Sequence, residues 1–544
     1  MDFSTLDIIV FASYCLMIVG IGLYVSRDKK GHEKDAEDYF LAGKSLPWWA
    51  IGASLIAANI SAEQFIGMAG SGFAGGLAIA SYEWMAAVTL IIVGKYLLPI
   101  FIEKKIYTIP EFIEQRFNTT LKTILAIFWI ALFVFVNLTT VLFLGAKALD
   151  TIIGSGQGDI MIFVLGLAFI AAAYSLYGGL SAVAWTDVVQ VVLLVLGGLV
   201  TTIIALNNVT PEGGVLNGLS HIYDVAGSRF DMILSRSNPE FVNLPGIAVL
   251  IGGMWVANLY YWGFNQYIIQ RTLAAKSLKE SQRGIIFAAF LKLIIPLIVV
   301  IPGIIAFVLY SQPEGTSIIP GVQEAFTKAD GSPNYDNAYP WLIGVFVTPG
   351  FKGLVVAALA AAIVSSLASM LNSTATIFTM DIYKPYFNKK ASNKQIVNVG
   401  RISASVALVI AIILTPLLKD VPQVFQYIQE YTGMVSPGIL AVFLLGLFWK
   451  KTTTKGAIYG VIASIIIAAL LKLPGLELPF MDQMFYTLII SLVIIAGVSL
   501  STNPEDDDPK GIVTTSETFR TGPAFNIGAY VILILAAVLY ALFW

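Results

Sequence analysis

Charged residues are scarce in this chain: Asp, Glu, Lys and Arg make up 12% of its 544 residues, against about a quarter in a typical soluble domain. Cysteine occurs once, at Cys15, which excludes an intrachain disulfide framework and a cysteine-based metal cluster. The two histidines, His32 and His221, lie far apart in polar segments, so a histidine-based catalytic site is not expected. The formal net charge of −2 argues against a nucleic-acid partner, which would favour a basic surface.

Apolar residues are abundant instead, at 57% of the chain with a mean hydropathy of +0.81. A helix that crosses a bilayer needs about 20 mostly apolar residues. Fourteen runs meet this criterion, which predicts an all-α polytopic membrane protein with the lipid bilayer as its partner. The predicted spans cover residues 8–26, 47–71, 77–102, 121–149, 159–177, 182–206, 245–270, 284–310, 350–382, 398–418, 422–448, 456–472, 480–499 and 525–544.

The distribution of basic residues predicts the orientation, because Lys and Arg concentrate in cytoplasmic connections. With the N-terminus outside, twenty-three of the 32 basic residues fall in inward connections and six in outward ones. Arg271 is counted among the inward residues in this scheme. The first run, 8–26, follows acidic residues and has no small-residue cleavage site, so we interpret it as a retained helix rather than a signal peptide. Both termini are therefore predicted to face outward.

Two predicted spans carry interruptions in corresponding positions. The second span contains the polar stretch from Asn59 to Gln64, and the seventh contains Gly252-Gly253 followed by an aromatic-rich segment around Asn258. In hydrocarbon, a broken helix survives only where its freed backbone groups line a cavity. Paired interruptions indicate a transporter built of inverted repeats with its site near the bilayer midplane. The alternative is that small and polar residues merely pack helices closely.

Lys292, Glu83 and Asp187 are ionisable residues inside predicted spans, where charges are costly and usually functional. Lys292 is nine residues from the inner end of its span, or ~13 Å at 1.5 Å per residue, and Glu83 is six residues from an outer end. These two could bind a ligand or form a structural ion pair. Asp187 lies about one turn inside the cytoplasmic edge, where it could equally be a helix-start carboxylate that faces water.

A run of hydroxyl residues marks the ninth span. Ser365, Ser366 and Ser369 follow Ala362, and adjacent hydroxyls with a carbonyl three residues earlier present several oxygens to one side of a helix. Hard cations prefer such oxygen donors, so sodium binding is one interpretation. Ordinary packing of small residues is the other.

Three stretches together resemble the sodium:solute symporter family, in particular its sodium/glucose and sodium/galactose branch. They are residues 177–187 (YGGLSAVAWTD), 357–383 (AALAAAIVSSLASMLNSTATIFTMDIY) and 425–433 (FQYIQEYTG). The resemblance implies sodium-coupled symport of a hexose, by alternating access, across a bacterial inner membrane. It also implies a LeuT-like core of five-plus-five inverted repeats. The domains would be an extra helix and basic loop (1–46), a first repeat (47–206), an external loop (207–244), a second repeat (245–448) and three additional helices (449–544).

The resemblance also implies roles for individual residues. Sodium would be held by the carbonyls of Ala57, Ile60 and Ala362 and the hydroxyls of Ser365 and Ser366, with Asp187 on its inward exit route. The sugar would be bound by Gln64, Glu83, Asn258, Lys292, Gln429 and Tyr261. The gates would be Met68, Tyr82 and Phe425 on the outer side and Tyr261, oriented by Asn59, on the inner side. One departure is Ala86, where the sugar branch can carry a hydroxyl residue.

Other functions remain open at this stage. Within the same fold, the solute could be proline, an inositol or an organic acid. A channel or a transporter-like sensor is a further alternative from another class. No catalytic acid–base or metal constellation and no Walker-type nucleotide loop is apparent in the sequence, so we expect neither enzymatic activity nor an organic cofactor.

Overall fold

The helices of the chain are seen in a computed structural model, which describes residues 3–27, 34–153, 160–312, 319–328, 331, 333–419, 424–473, 476, 478–503 and 507–544. Within these residues the regular structure is helical, with two isolated β-bridges. The α-helices are α1 Thr5–Val25, α2 Ala36–Leu41, α3 Trp48–Asn59, α4 Ala69–Gly75, α5 Ser81–Ile92, α6 Leu98–Glu103, α7 Ile109–Arg116, α8 Thr119–Ala131, α9 Thr139–Ile153, α10 Met161–Asn208, α11 Val215–Ala226, α12 Ile247–Ile251, α13 Gly253–Phe264, α14 Gln266–Leu273, α15 Leu278–Tyr310, α16 Val322–Ala325, α17 Ala338–Phe346, α18 Phe351–Ile377, α19 Lys384–Tyr386, α20 Asn393–Leu414, α21 Val424–Phe448, α22 Thr454–Leu471, α23 Phe480–Thr502 and α24 Pro523–Leu542.

Many of these helices are suited to a membrane. Eleven helical stretches among the described residues are long and apolar enough to cross a bilayer, or twelve if a bent pair counts as one span. The predicted class, an all-α polytopic membrane protein, is confirmed. The finer count of fourteen differs from this number, partly because neighbouring predicted spans merge into single helical stretches.

The longest merged stretch is α10. It joins the predicted spans 159–177 and 182–206 in 48 residues, and the only residue inside it with non-helical backbone angles is Gly179 (φ 63°, ψ −151°). At 1.5 Å per residue the helix would be ~72 Å long, more than twice the ~30 Å hydrocarbon core. A Cβ at position 179 would collide with the backbone of Tyr39. Glycine is therefore required at the break by both its positive φ and this close approach.

The two predicted interruptions are present. α3 ends at Asn59, and the chain leaves helical geometry at Ile60 (φ −82°, ψ 102°) before a π-helical segment, Glu63–Met68, leads into α4. In the seventh predicted span, the chain bends by 78° at Gly252, between α12 and α13. A second, smaller interruption follows at Asn265, between α13 and α14.

Burial divides the helices into a core and a periphery. In the most apolar part of the stretch that begins with α18, 94% of residues are buried, and in α15 the share is 78%. The corresponding shares in α1 and α24 are 17% and 22%, so these helices present most of their surface to lipid. α3 and α15 approach closely, since a Cβ at Gly52 would lie 2.7 Å from the Gly284 carbonyl oxygen. Such small-residue contacts are typical of packing between membrane helices.

The long connections between the predicted spans contain helices of their own among the residues that the structure describes. Segment 207–244 contains the amphipathic helix α11, and segment 311–349 contains α16 and α17. The N-terminal connection contains α2, whose Tyr39 and Phe40 are buried. These segments pack onto the helical core rather than extending from it.

Candidate functional site

The break after Asn59 creates the central feature of the site. When a helix ends, its last four carbonyl groups lack intrahelical partners, so the end of α3 offers free oxygens in the middle of the protein. One of them, the Ala58 carbonyl, accepts a hydrogen bond from Ser366 Oγ at 2.9 Å. The break therefore contacts α18 on one side and borders a cavity on the other.

That cavity has a volume of about 70 Å³ and is lined by both interrupted segments together with α5, α15, α21 and α23. All six predicted sugar-binding residues line it, although their roles remain predictions. Its lining comprises Asn59, Glu63, Gln64, Met68, Tyr82, Glu83, Ala257, Asn258, Tyr260, Tyr261, Trp262, Lys292, Gln429, Thr432, Gly433, Ser436 and Met484.

Lys292 connects polar residues that line the cavity. Its ammonium group donates to both Glu83 Oε2 and Asn59 Oδ1, and it lies 5.0 Å from the ring centroid of Trp262. The Lys292 and Glu83 side chains are 1% and 4% exposed, so they form a buried ion pair. The two residues therefore form the ion pair of one interpretation and also face the cavity, while their role as sugar ligands stays a prediction.

Asn59 connects this pair to the predicted inner gate. Its amide nitrogen donates to Tyr261 Oη at 2.9 Å, and Tyr267 Oη donates to the same oxygen at 2.7 Å. Asn59 therefore contacts both Lys292 and Tyr261, as the prediction that it orients Tyr261 requires. A change in the position of the ion pair would reach the tyrosine through one amide group.

Three predicted amide ligands lie on different elements around the cavity. Gln64 folds back over the break, where its Oε1 accepts from the Ser61 backbone N–H at 2.9 Å. Asn258 on α13 donates to the Met254 carbonyl at 3.2 Å, which leaves its own oxygen for another partner. Gln429 belongs to α21. Together they offer donors and acceptors from three directions, as a ligand with many hydroxyl groups requires.

The predicted outer gate is described in part. Met68 and Tyr82 both line the cavity, and Met68 is fully buried. Phe425 lies in α21, but its side chain is outside the described residues. Ala86, the departure from the sugar branch, is buried in α5.

The predicted sodium ligands are residues of α3, of the break that follows it and of α18. Ala57, Ile60, Ala362, Ser365 and Ser366 are all completely buried. Ser366 bonds the end of α3 directly, while Ser365 Oγ donates to Asp187 Oδ1 at 2.5 Å. Ser366 thus links α18 to the end of α3, and Ser365 links it to α10; that carbonyls and hydroxyls hold a hard cation at this contact stays a prediction.

Asp187 is placed differently from one of its two interpretations. It is fully buried, eight residues after the break at Gly179, so the interpretation as a carboxylate that faces water is wrong. Its Oδ2 accepts from Ser54 Oγ at 2.5 Å and from Arg271 Nη2 at 3.3 Å. The carboxylate therefore touches a predicted sodium ligand on one side and a cation on the other.

Arg271 is the clearest residue that sequence reasoning misplaced. The charge count assigns it to an inward connection, yet it is fully buried. Its Nε donates to Ser54 Oγ at 2.7 Å, and its Nη2 also donates to Ser369 Oγ. The predicted seventh span ends at residue 270, one position before Arg271, whereas the buried stretch from Asn265 continues through Thr272. Glu63, Thr432 and Ser436 also line the cavity without having been singled out.

Comparison with known proteins identifies the family. The model of the sodium:solute symporter family matches residues 39–464. The chain belongs to this family. A sodium/glucose cotransporter of Vibrio parahaemolyticus is 65% identical over 99% of this chain and 98% of its own length. The human sodium/myo-inositol cotransporter 2 is 32% identical over 85% of this chain and 69% of its own length.

A solved structure supports the fold independently. A Na+-coupled sialic acid symporter in a substrate-bound outward-open state aligns with a TM-score of 0.78 at 24% identity, covering 92% of this chain and 98% of that one. Family membership makes this chain a sodium-coupled membrane transporter rather than an enzyme, as the sequence predicts.

Proposed function

We propose that the chain takes up a hexose, galactose or glucose, together with sodium by alternating access. The observation that carries this proposal is the cavity beside the helix break, where a buried Lys292–Glu83 pair and the amides of Gln64, Asn258 and Gln429 surround a space next to Tyr261. Neutral polyhydroxy compounds need such mixed donors and acceptors, with an aromatic face for their C–H surface. The similarity to a sodium/glucose cotransporter supports the same solute class.

In this proposal sodium binds first at Ala57, Ile60, Ala362, Ser365 and Ser366. It bridges α3 to α18 and favours the outward-open state. Sugar then binds at the cavity, the outer gate closes, and both leave toward the cytoplasm, the ion by way of Asp187. Coupling arises because the ion's ligands come from two elements that separate in the inward-open state, so the ion has different affinities for the two states.

The membrane arrangement of the proposal is fourteen spans in a bacterial inner membrane, with both termini outside and a five-plus-five inverted-repeat core. In the part of the chain that the structure describes, each of the fourteen apolar runs lies largely in helical backbone, and the two interruptions favour an inverted-repeat core. The excess of basic residues in the inward connections supports the orientation. Without Arg271, the inward connections still hold more basic residues than the outward ones.

Uptake into proteoliposomes tests the proposal. Purified protein is reconstituted, and radiolabelled galactose, glucose, myo-inositol and proline are offered with an inward sodium gradient or with potassium in its place. Accumulation of a hexose above its external concentration, only with the sodium gradient, is expected. Equilibration without sodium dependence would indicate a channel, and accumulation of proline but not of a hexose would refute the proposed solute class.

An inositol is the second candidate, because relatives at 32% identity are sodium/myo-inositol cotransporters. Inositol and a pyranose share a six-membered ring with several hydroxyl groups, so the same cavity groups would serve both. The ratio of the two KM values in the uptake panel decides between them.

A further inference from the structure

Glu63 has a place in the cavity that the ion pair does not explain. It is the first residue of the π-helical segment Glu63–Met68, directly after the break and next to Gln64. Its side chain lines the cavity, and its buried Oε1 accepts no hydrogen bond. A buried acceptor without a partner costs roughly 1–3 kcal/mol, and more if it is charged, so this oxygen points to a missing donor.

The charges around the cavity do not balance. Lys292 is engaged by Glu83 and Asn59, and no basic group among the described residues lies within ion-pair distance of Glu63. The lining therefore contains two carboxyl groups and one ammonium group. An ionised Glu63 gives the cavity an excess negative charge, which attracts hydroxyl donors and repels anionic solutes.

A second buried polar group without a hydrogen-bond partner lies on α21 and lines the cavity. Ser436 is 1% exposed, lines the cavity, and its Oγ has no hydrogen-bond partner. It lies two turns beyond Gln429 on the same helix, seven residues away, so the two share one face. Glu63 and Ser436 thus extend the polar lining with a hydrogen-bond acceptor from the broken segment and a hydroxyl from α21.

We propose that Glu63 and Ser436 are further sugar-contacting residues, and that Glu63 selects neutral polyhydroxy solutes over solutes that carry a carboxylate. This inference rests on the proposed function, because it concerns the solute of the same cavity. A carboxylate can only accept hydrogen bonds, so Glu63 requires a hydroxyl hydrogen from the solute. Ser436 can donate or accept and complements the hydroxyl it meets.

The test is Glu63→Gln, which preserves the shape of the side chain while removing its charge. Uptake of glucose and its 2-, 3-, 4- and 6-deoxy analogues, and of glucuronate, is measured in proteoliposomes for wild type and variant. The KM for glucose should rise roughly three- to tenfold, because the glutamine oxygen still accepts a hydrogen bond, but a neutral one of about half the strength. One deoxy analogue should be penalised less in the variant than in wild type, and the preference for glucose over glucuronate should fall at least tenfold.

Glu517→Gln is the matched control, because Glu517 is 75% exposed and its loss of charge should change none of these values. Ser436→Ala is the second variant. It should remove the penalty for the deoxy analogue that lacks the hydroxyl bonded by Ser436. It carries the test if Glu63→Gln does not fold, as judged by its melting temperature in detergent.

The outcomes separate the inference from the proposed function. Sodium-driven glucose uptake by wild type, with unchanged KM, deoxy pattern and glucuronate rejection in both variants, would overturn the inference and leave the proposed function standing. Failure of wild type to accumulate any hexose would overturn both.

Discussion

The buried pair of Lys292 and Glu83 offers a test of whether its charges serve transport or only stability. With side-chain exposures of 1% and 4%, either residue alone would leave an uncompensated charge in the protein interior. Breaking such a pair typically costs about 3–5 kcal/mol. We therefore expect Lys292→Met and Glu83→Gln each to lower the free energy of unfolding by roughly this amount.

The double variant separates the two roles. Replacing a whole buried pair by groups of similar volume is often neutral or stabilising, so the protein carrying both substitutions should regain most of the lost stability. Sugar uptake should not return, because the double variant lacks both of the charge-assisted hydrogen bonds that we propose for the solute. Such bonds are roughly twice as strong as neutral ones.

Two assays on the same preparations are needed: unfolding in detergent and sodium-driven galactose uptake in proteoliposomes. The exposed pair of Lys472 and Glu430, at 2.7 Å with exposures of 27% and 48%, is the control. The corresponding substitutions there should each cost about 1 kcal/mol or less and leave uptake unchanged. A double variant at Lys292 and Glu83 with wild-type uptake would refute the ligand assignment. Single variants as stable as wild type would show that water, rather than the partner charge, compensates each group.

Three further predictions concern the ion, the gate and the topology. Ser365→Ala should strongly weaken the sodium dependence of uptake, while Thr374→Ala on the same helix, whose hydroxyl donates to the Met370 carbonyl, should not; equal sodium activation curves for Ser365→Ala and wild type would refute the proposed ion site. Tyr261→Phe removes the hydroxyl bonded by Asn59 and Tyr267, and the loss of about 1 kcal/mol should raise the galactose KM about fivefold, whereas an unchanged KM would detach the gate from this network. A cysteine at position 388 should react with impermeant reagents only from the cytoplasm and one at position 331 only from outside, and the reverse labelling would contradict the proposed orientation.

The interruptions of the helices could be predicted because their cause is local. A polar run such as Asn59 to Gln64 is unfavourable in a lipid-facing helix, so it indicates a break beside a cavity. Glycine at position 252 lacks a side chain and permits the backbone to bend. The structure has breaks at both places, with the 78° bend at Gly252. Local signals also predicted the cluster of hydroxyls at Ser365 and Ser366, which lies in the most buried helix of the core.

Contacts between distant parts of the chain could not be predicted in the same way. Arg271 and Asp187 are separated by 84 positions, and nothing in either local sequence indicates the other. Counting Arg271 as a loop residue followed from its place near the end of a span, where basic residues usually face the cytoplasm. Its burial depends instead on three oxygen-bearing groups, those of Ser54, Asp187 and Ser369, from three other helices.

Coupling between the proposed ion and sugar sites also depends on a contact between distant parts of the chain. Ser366 bonds the carbonyl of Ala58, and the next residue, Asn59, bonds both Lys292 and Tyr261. The proposed ion site and the proposed sugar site are therefore served by consecutive residues at the end of α3. Movement of α18 away from α3 would break the contact to Ala58 and free the end of the helix that positions Asn59. Loss of the ion and loosening of the inner gate would then be two consequences of one displacement. Coupling between sodium and sugar therefore requires no pathway longer than the end of α3.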